Sequence, residues 1–266
     1  MSELSDIRDR ALFIARDAAK LAMRGYRQKR TIEKKGAIDL VTDFDVRCEA
    51  LIRQRLAREF PEHDVVAEEG ADKPTRDLIW YVDPIDGTTN FAHGHPFFCV
   101  SMGLAERNKP VVGVVVAPAL NVEWTGAEGH PSTRNGEACH VTETAAIDDA
   151  LCATGFPYDR RETTDNNFEA YLGMKLKSRG VRRCGSAAID LCLVADGTYD
   201  AYWEIKLKPW DWCGGFAIAL GAGATITDTL GGEADLSTRR LAVSNGRLHA
   251  ELLSTIGPFE SKYATR

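Results

Sequence analysis

No two of the seven cysteines stand in a C-x-x-C pair; Cys48, Cys99, Cys139, Cys152, Cys184, Cys192 and Cys213 are scattered and odd in number. That argues against a disulfide framework and reads as reduced thiols in a cytoplasmic protein, most simply as small apolar core residues. Basic charge is not in excess: 33 Lys and Arg face 39 Asp and Glu, giving a net charge of −6 and a pI near 5.6. Nucleic-acid surfaces need a basic patch to meet phosphate, so no nucleic-acid partner is expected. No apolar run approaches the ~18 residues of a membrane span, so no membrane partner is expected either. The opening Met1-Ser2-Glu3-Leu4-Ser5-Asp6 lacks the basic-then-apolar order of a signal peptide. Repeats and low-complexity tracts are also missing. What remains, 44% hydrophobic and 27% charged over 266 residues, is ordinary for a globular chain with a sizeable core.

Periodicity predicts a helix over residues 6–28, with Ile7, Ala11, Ile14, Ala18 and Leu21 on one stripe, and a second from Val46 to Phe60, closed by Pro61. Strands are predicted at 64–67, 78–82, 99–105 and 111–117, the last two joined as a hairpin through Arg107-Asn108-Lys109-Pro110. Residues 124–140, rich in Gly, His, Pro and Asn, read as loop and turn. From about 147 strands and helices alternate: strand 151–154, helix 166–179, strand 181–184, helix 187–196, strand 199–204, helix 213–222 and strand 224–228. The expected organisation is one domain over 1–266, with an N-terminal α+β half (about 1–145) and a C-terminal α/β half (146–266).

Four acidic clusters stand out: Asp43/Asp45, Glu68/Glu69, Asp83/Asp86 and Asp211. Three follow apolar or strand-like runs, and loops at strand ends can gather distant residues. Several carboxylates gathered together repel one another unless a cation lies between them. Oxygen donors without neighbouring Cys or paired His suit a hard cation, magnesium or manganese, rather than zinc. Magnesium in turn favours a phosphate partner, and a two-metal site clamps both ends of a phosphoryl transfer. Gly87 lets a phosphate approach the backbone, and Thr88 offers a hydroxyl and free N–H groups at a helix start. Each feature has a plainer reading beside it. Asp83-Pro84-Ile85-Asp86-Gly87 is also a good turn; Thr42-x-x-Asp45 is also a helix cap; Glu68-Glu69 also reads as a solvated pair, and Asp211 also as an N-cap.

Taken together, Asp39-Leu40-Val41-Thr42-Asp43-Phe44-Asp45, Glu68-Glu69, Asp83-Pro84-Ile85-Asp86-Gly87-Thr88-Thr89-Asn90-Phe91, Gly185-Ser186-Ala187-Ala188 and Trp210-Asp211 resemble the inositol monophosphatase family of magnesium-dependent phosphatases. The likeness runs from about Lys34 to Asn245. It implies an α/β fold of α-β-α-β-α layers, shared with fructose-1,6-bisphosphatases, and a homodimer. It implies phosphomonoester hydrolysis by metal-activated water, with two or three Mg2+ (or Mn2+) held by Glu68, Asp83, the carbonyl of Ile85, Asp86 and Asp211. Asp45 and Thr88 would orient the water, with Glu68 beside it. Asp86, Gly87, Thr88, Thr89, Gly185, Ser186, Ala187, Glu204 and Asp211 would contact the substrate, with Glu204 receiving polyol hydroxyls, although it also reads as a surface glutamate ending a strand. Lys34 matches a basic residue near the site and equally a solvated surface lysine. The implied substrate is a small polyol phosphate, inositol monophosphate first; fructose bisphosphate, histidinol phosphate and a non-catalytic regulatory role are the alternatives.

Three stretches depart from the family pattern: the bulky Trp212-Cys213, the loop Gly129–Gly136, and the short segment between Glu69 and Leu78. They bear on pocket shape rather than on the metals. His93-Gly94-His95 offers an H-x-H, with no third soft ligand evident. A haloacid-dehalogenase phosphatase also places aspartates after a strand, but as D-x-D with the first as covalent nucleophile; here the spacing after the strand is D-x-x-D, far from the N-terminus.

Overall fold

The computed structural model describes residues 3–28, 32–34 and 40–263. Two helices open the chain, α1 (Glu3–Gly25) and α2 (Asp43–Glu59), separated by a short antiparallel hairpin of β1 (Ile32–Lys34) and β2 (Leu40–Thr42). Thr42 caps α2: its Oγ1 accepts from the Phe44 N–H, and its own N–H donates to Asp45.

A seven-stranded sheet follows: β3 (Asp64–Ala67), β4 (Leu78–Asp86), β5 (Cys99–Glu106), β6 (Lys109–Ala117), β7 (Val122–Ala127), β8 (His130–Arg134) and β9 (Glu137–Ala138), in that spatial order. Only β3 and β4 pair in parallel; the rest is an antiparallel meander. The expected loop over 124–140 is therefore three short strands. Turn-forming residues sit where the hairpins reverse: Asn121 before β7, and Gly129, Asn135 and Gly136 within the stretch, all adopt positive φ.

The C-terminal half carries β10 (Leu151–Thr154), α4 (Phe168–Lys177), β11 (Gly180–Arg182), α5 (Ala187–Ala195), β12 (Ala201–Ile205), α6 (Pro209–Gly221), β13 (Thr225–Asp228), β14 (Arg240–Ser244) and α7 (His249–Glu260). Its five strands order as β11-β10-β12-β14-β13, with β10 parallel to both neighbours and β14 antiparallel to β12 and β13. The hairpin β1–β2, β14 and α7 lie outside the elements expected from the sequence, whereas the helix start read at Thr88 is that of the short helix α3 (Thr88–His93).

Three apolar clusters define the layers. One lies between α1/α2 and the seven-stranded sheet (Ile14, Cys48, Ile52, Trp80, Met102, Val114). The second joins that sheet to α5 and α6 (Cys99, Val115, Leu191, Trp212, Ile218). The third packs α4 and α7 on the five-stranded sheet (Met174, Trp203, Leu252, Ile256). The layering is thus α-β-α-β-α. Six of the seven cysteines are buried and all are free, in line with their reading as small core residues.

Helix α6 approaches the large sheet unusually closely. Gly103, Gly113 and Gly126 lie side by side across β5, β6 and β7. A Cβ on Gly103 would stand 2.5 Å from the Cys213 Sγ, and one on Gly113 only 2.0 Å from the Gly214 carbonyl oxygen. This track without side chains seats α6 on the sheet, and with it Asp211 in the first turn of α6.

Candidate active site

The D-x-x-D spacing acquires its meaning from β4. In a regular strand, residues three apart face opposite ways. Here Asp83 pairs with Ser101 and Asp86 with Cys99, so three steps on β4 oppose two on β5. The bulge takes up the extra residue and turns both carboxylates to the same face. That face opens into a cavity of about 440 Å3 lined by Glu68, Asp83, Ile85, Asp86, Thr88 and Asp211, with Gly185, Ala187 and Glu204 further along its wall. Glu68 arrives from the end of β3, and Asp211 from the first turn of α6, where its Oδ2 accepts the Lys208 N–H at 2.7 Å. The helix begins at Pro209 with Lys208 as its N-cap, so Asp211 is the third helical residue and caps from inside, through the Lys208 N–H, rather than as the N-cap itself.

The electrostatics of this cavity are those of crowded carboxylates. Burial, and then the charges of Glu68, Asp86, Asp211 and Asp45, hold Asp83 well above the usual carboxylate range. Asp211 is likewise raised, by burial and then by Glu68, Asp86 and Glu204. Asp86 is pushed up to about 6 by burial, although its Oδ2 accepts from the Ser186 Oγ at 2.6 Å and the Ala188 N–H at 2.8 Å. Ser186 caps α5 with the same oxygen. Its hydroxyl hydrogen is thus committed to Asp86, and it bears on a ligand by fixing that carboxylate.

Asp45 and Thr88 form a second unit. Asp45 is fully buried and raised by desolvation; its Oδ2 takes both the N–H and the hydroxyl of Thr42, and its Oδ1 takes the Thr88 hydroxyl at 3.1 Å. Thr88 Oγ1 also lies 3.0 Å from the Ile85 carbonyl. Gly87 turns the chain into α3 at φ +92°, where a Cβ would meet the Phe97 carbonyl at 2.9 Å, so glycine is required there. Thr89 is exposed and faces an adjoining cavity rather than this one.

Glu204, on β12, accepts the Tyr202 hydroxyl at 2.6 Å and is pushed up to about 7 by burial. A further acid, Asp190 on α5, was not singled out by sequence reasoning. It lines the same cavity, is 1% exposed, and its Oδ1 has no hydrogen-bond partner. Its signal was there to be read: one carboxylate inside Ala187-Ala188-Ile189-Asp190-Leu191-Cys192-Leu193-Val194-Ala195. The side chain of Lys34, and the whole of Asp39, lie outside the described residues. His93 and His95 are exposed.

All donors around the cavity floor are oxygens. Among the described residues no three His, Cys, Asp or Glu side chains close on one point as a ready-made ion cage. The carboxylates instead stand around a cavity open to a ligand. That arrangement fits a hard cation held by one or two carboxylates each, with waters and phosphate oxygens completing the shell.

The chain is also similar to known proteins. The model of the inositol monophosphatase family matches residues 3–258. An inositol-1-monophosphatase of Synechocystis is 42% identical, over 83% of this chain and 78% of its own. The chloroplastic phosphatase IMPL1 of Arabidopsis thaliana is 39% identical, over 92% of this chain and 68% of its own. The solved inositol monophosphatase of Anabaena superposes with a TM-score of 0.88 over 97% of both chains at 34% identity. With its layers, its bulged D-x-x-D strand and its carboxylate cavity, the chain belongs to the inositol monophosphatase family of phosphoric monoester hydrolases.

Proposed function

We propose that the protein hydrolyses a small polyol monophosphate, inositol monophosphate first, by direct attack of water at phosphorus. The observation that carries this reading is the convergence of Glu68, Asp83, Asp86 and Asp211 on one cavity beside the Thr88–Asp45 pair. Glu68, Asp83, the Ile85 carbonyl, Asp86 and Asp211 would hold two or three Mg2+ ions, or Mn2+. Bound there, such ions would lower the pKa of water and neutralise charge on the phosphoryl group. The chain's own part is positional. Because Thr88 gives its hydroxyl hydrogen to Asp45 or to the Ile85 carbonyl, its lone pairs remain to accept a hydrogen of the attacking water. The Thr42 bonds fix Asp45 and, through it, Thr88. The opening of α3 at Gly87, Thr88 and Thr89 supplies N–H groups for phosphate. Glu204, with Gly185 and Ala187 beside it, forms the polyol wall, and an acceptor-only carboxylate suits hydroxyl groups.

We further propose that residues 1–266 act as one domain, since α5 and α6 lie between both sheets. Phe168, Leu172 and Leu176 form an exposed apolar row on α4, a surface that a second copy in a homodimer would cover. A cytoplasmic setting is in keeping with seven free cysteines and with the absence, among the described residues, of a helix long and apolar enough to cross a membrane.

The test is phosphate release with Mg2+ or Mn2+ from inositol 1-phosphate, fructose 1,6-bisphosphate, histidinol phosphate and p-nitrophenyl phosphate. Metal-dependent turnover, with the inositol ester the better monophosphate, is expected. Absence of release from every ester would overturn the reading, and preference for histidinol phosphate would overturn the polyol assignment.

A further inference from the structure

Asp190 plays no part in the chemistry proposed above, yet the fold delivers it to the same cavity. It stands one turn along α5 from Ser186, whose carbonyl accepts its N–H at 3.0 Å. Ser186 holds Asp86 through its hydroxyl. One face of α5 thus serves Asp86 at its opening and presents Asp190 a turn later. The neighbours Ile189, Leu191 and Cys192 are apolar and fully buried.

Packing leaves this acid unmet. Asp190 is 1% exposed, its Oδ1 has no hydrogen-bond partner, and among the described residues no Lys or Arg stands at ion-pair distance from it. Burial, and then the charges of Glu204 and Asp86, hold its carboxyl well above the usual range, with Arg183 drawing it back. Glu204 is different. Its Oε2 takes the Tyr202 hydroxyl at 2.6 Å, and its carboxyl group lies so close to Gly155 that a Cβ there would stand 2.0 Å from Oε1. Buried polar groups in folded proteins are nearly always paired, and an unpaired one costs stability. In the wall of a ligand cavity, the missing partner is a group of the ligand. A hydroxyl suits it, because a hydroxyl both donates and accepts and so meets a carboxyl in either protonation state.

We propose that Asp190 is a specificity-determining residue, which takes a polyol hydroxyl different from the one that meets Glu204. The site then reads two hydroxyls of one substrate from two elements, α5 and β12. It selects polyol monophosphates that carry both over esters that carry one or none. This rests on the polyol phosphatase reading of the cavity.

The test measures kcat/KM for inositol 1-phosphate, its monodeoxy analogues and p-nitrophenyl phosphate in the wild type, Asp190→Ala, Asp190→Asn and Glu204→Ala. In Asp190→Ala the ratio of kcat/KM for inositol 1-phosphate to that for p-nitrophenyl phosphate should fall about tenfold, the scale of one hydrogen bond. Asp190→Asn keeps an acceptor oxygen and should recover part of the ratio. One monodeoxy analogue should match its parent in Asp190→Ala, and a different one in Glu204→Ala, because each variant has lost the group that reads the missing hydroxyl. Urea unfolding supplies a second readout. Free of metal and ligand, Asp190→Ala should be at least as stable as the wild type, since an unpaired buried group has gone and the site opens on the cavity. Parallel losses on both esters, the same analogue responding in both variants, or lower stability in Asp190→Ala would overturn the proposal. If no ester is hydrolysed, the phosphatase reading fails by itself. Calorimetric titration of inositol 1-phosphate with Mg2+ into the wild type and Asp190→Ala still reads the contact, and equal affinities would sink it.

Discussion

The glycine track under α6 links the sheet to the chemistry and can be broken at one atom. Gly113 sits in the middle of β6, buried, between Gly103 and Gly126. An alanine there would place its Cβ 2.0 Å from the Gly214 carbonyl oxygen, against the 3.0 Å that real Cβ atoms respect. The obstacle is backbone, so no side chain can swing aside; α6 must lift by about 1 Å. Overpacking of this kind costs about 1–3 kcal/mol, offset by up to about 1 kcal/mol from the loss of glycine's freedom in the unfolded chain. Asp211 lies three residues before Gly214 on the same helix, so it moves with the lift. Misplacement of a site group by 1 Å can cost about a hundredfold in rate.

Gly113→Ala should therefore lower stability by about 1–2 kcal/mol in urea unfolding and lower kcat by about a hundredfold. The control is Gly129→Ala. Gly129 has φ +76° in the β7–β8 turn, and a Cβ there meets nothing within 4 Å. It should cost about 1 kcal/mol of backbone strain and leave kcat alone. Wild-type stability in Gly113→Ala would refute the contact. Lost stability with wild-type kcat would refute the claim that the track positions Asp211.

Asp83→Asn and Asp211→Asn should each lower kcat by roughly a hundredfold to a thousandfold, while the metal-free protein becomes more stable at pH 7 because a repelling charge has gone; wild-type-like kcat at saturating magnesium would refute the ligand assignment. Glu204 ionises near 4.5 when unfolded and at about 7 when folded, so its contribution is fully present below pH 4.5 and lost as pH rises to 7. At 1.36 kcal/mol per pH unit this is ~3 kcal/mol, reduced to about 1–2 kcal/mol because the group faces the cavity; metal-free wild type should lose that much more than Glu204→Gln between pH 4.5 and 7.5, and parallel stability curves would exclude it. Hydrolysis of an ester made chiral at phosphorus should invert configuration, as one displacement by water requires; net retention would make an aspartate the nucleophile.

Helices α1 and α2 were legible because their apolar residues repeat at three- and four-residue steps, and the central strands because their runs are β-branched and long. The strands β7 to β9 were not. Gly126, Gly129, Asn135 and Gly136 read locally as loop, yet Gly126 is glycine because the Ile218 Cα would stand 2.8 Å from its Cβ. A residue chosen to admit a distant helix carries no local sign of that helix. Strand β14 lies beyond residue 228, where no element was expected; at its start the Arg240 guanidinium is bound between Asp165 and Glu260, brought there by other elements.

At the site, what was legible was donor chemistry, and what was not was direction. The D-x-x-D spacing alone predicts opposite faces for Asp83 and Asp86 in a regular strand, which would split them between the α1/α2 core and the cavity. Only the shift of register against Ser101 and Cys99 brings them together; Pro84, which cannot donate to the ladder, suits a bulge between the aspartates, but the register itself is set by the pairing of β4 with β5. Asp190 and Arg160 show the converse. Neither belongs to a motif, one reading as a helical acid and the other as a turn arginine. Their significance lies in what is absent around them among the described residues, a hydrogen-bond partner for Asp190 Oδ1 and a carboxylate for Arg160. Such absences are properties of packed space, so they become visible only when the chain is folded. Under the polyol reading proposed above, the hydroxyls of a substrate would stand beside Asp190 and Glu204.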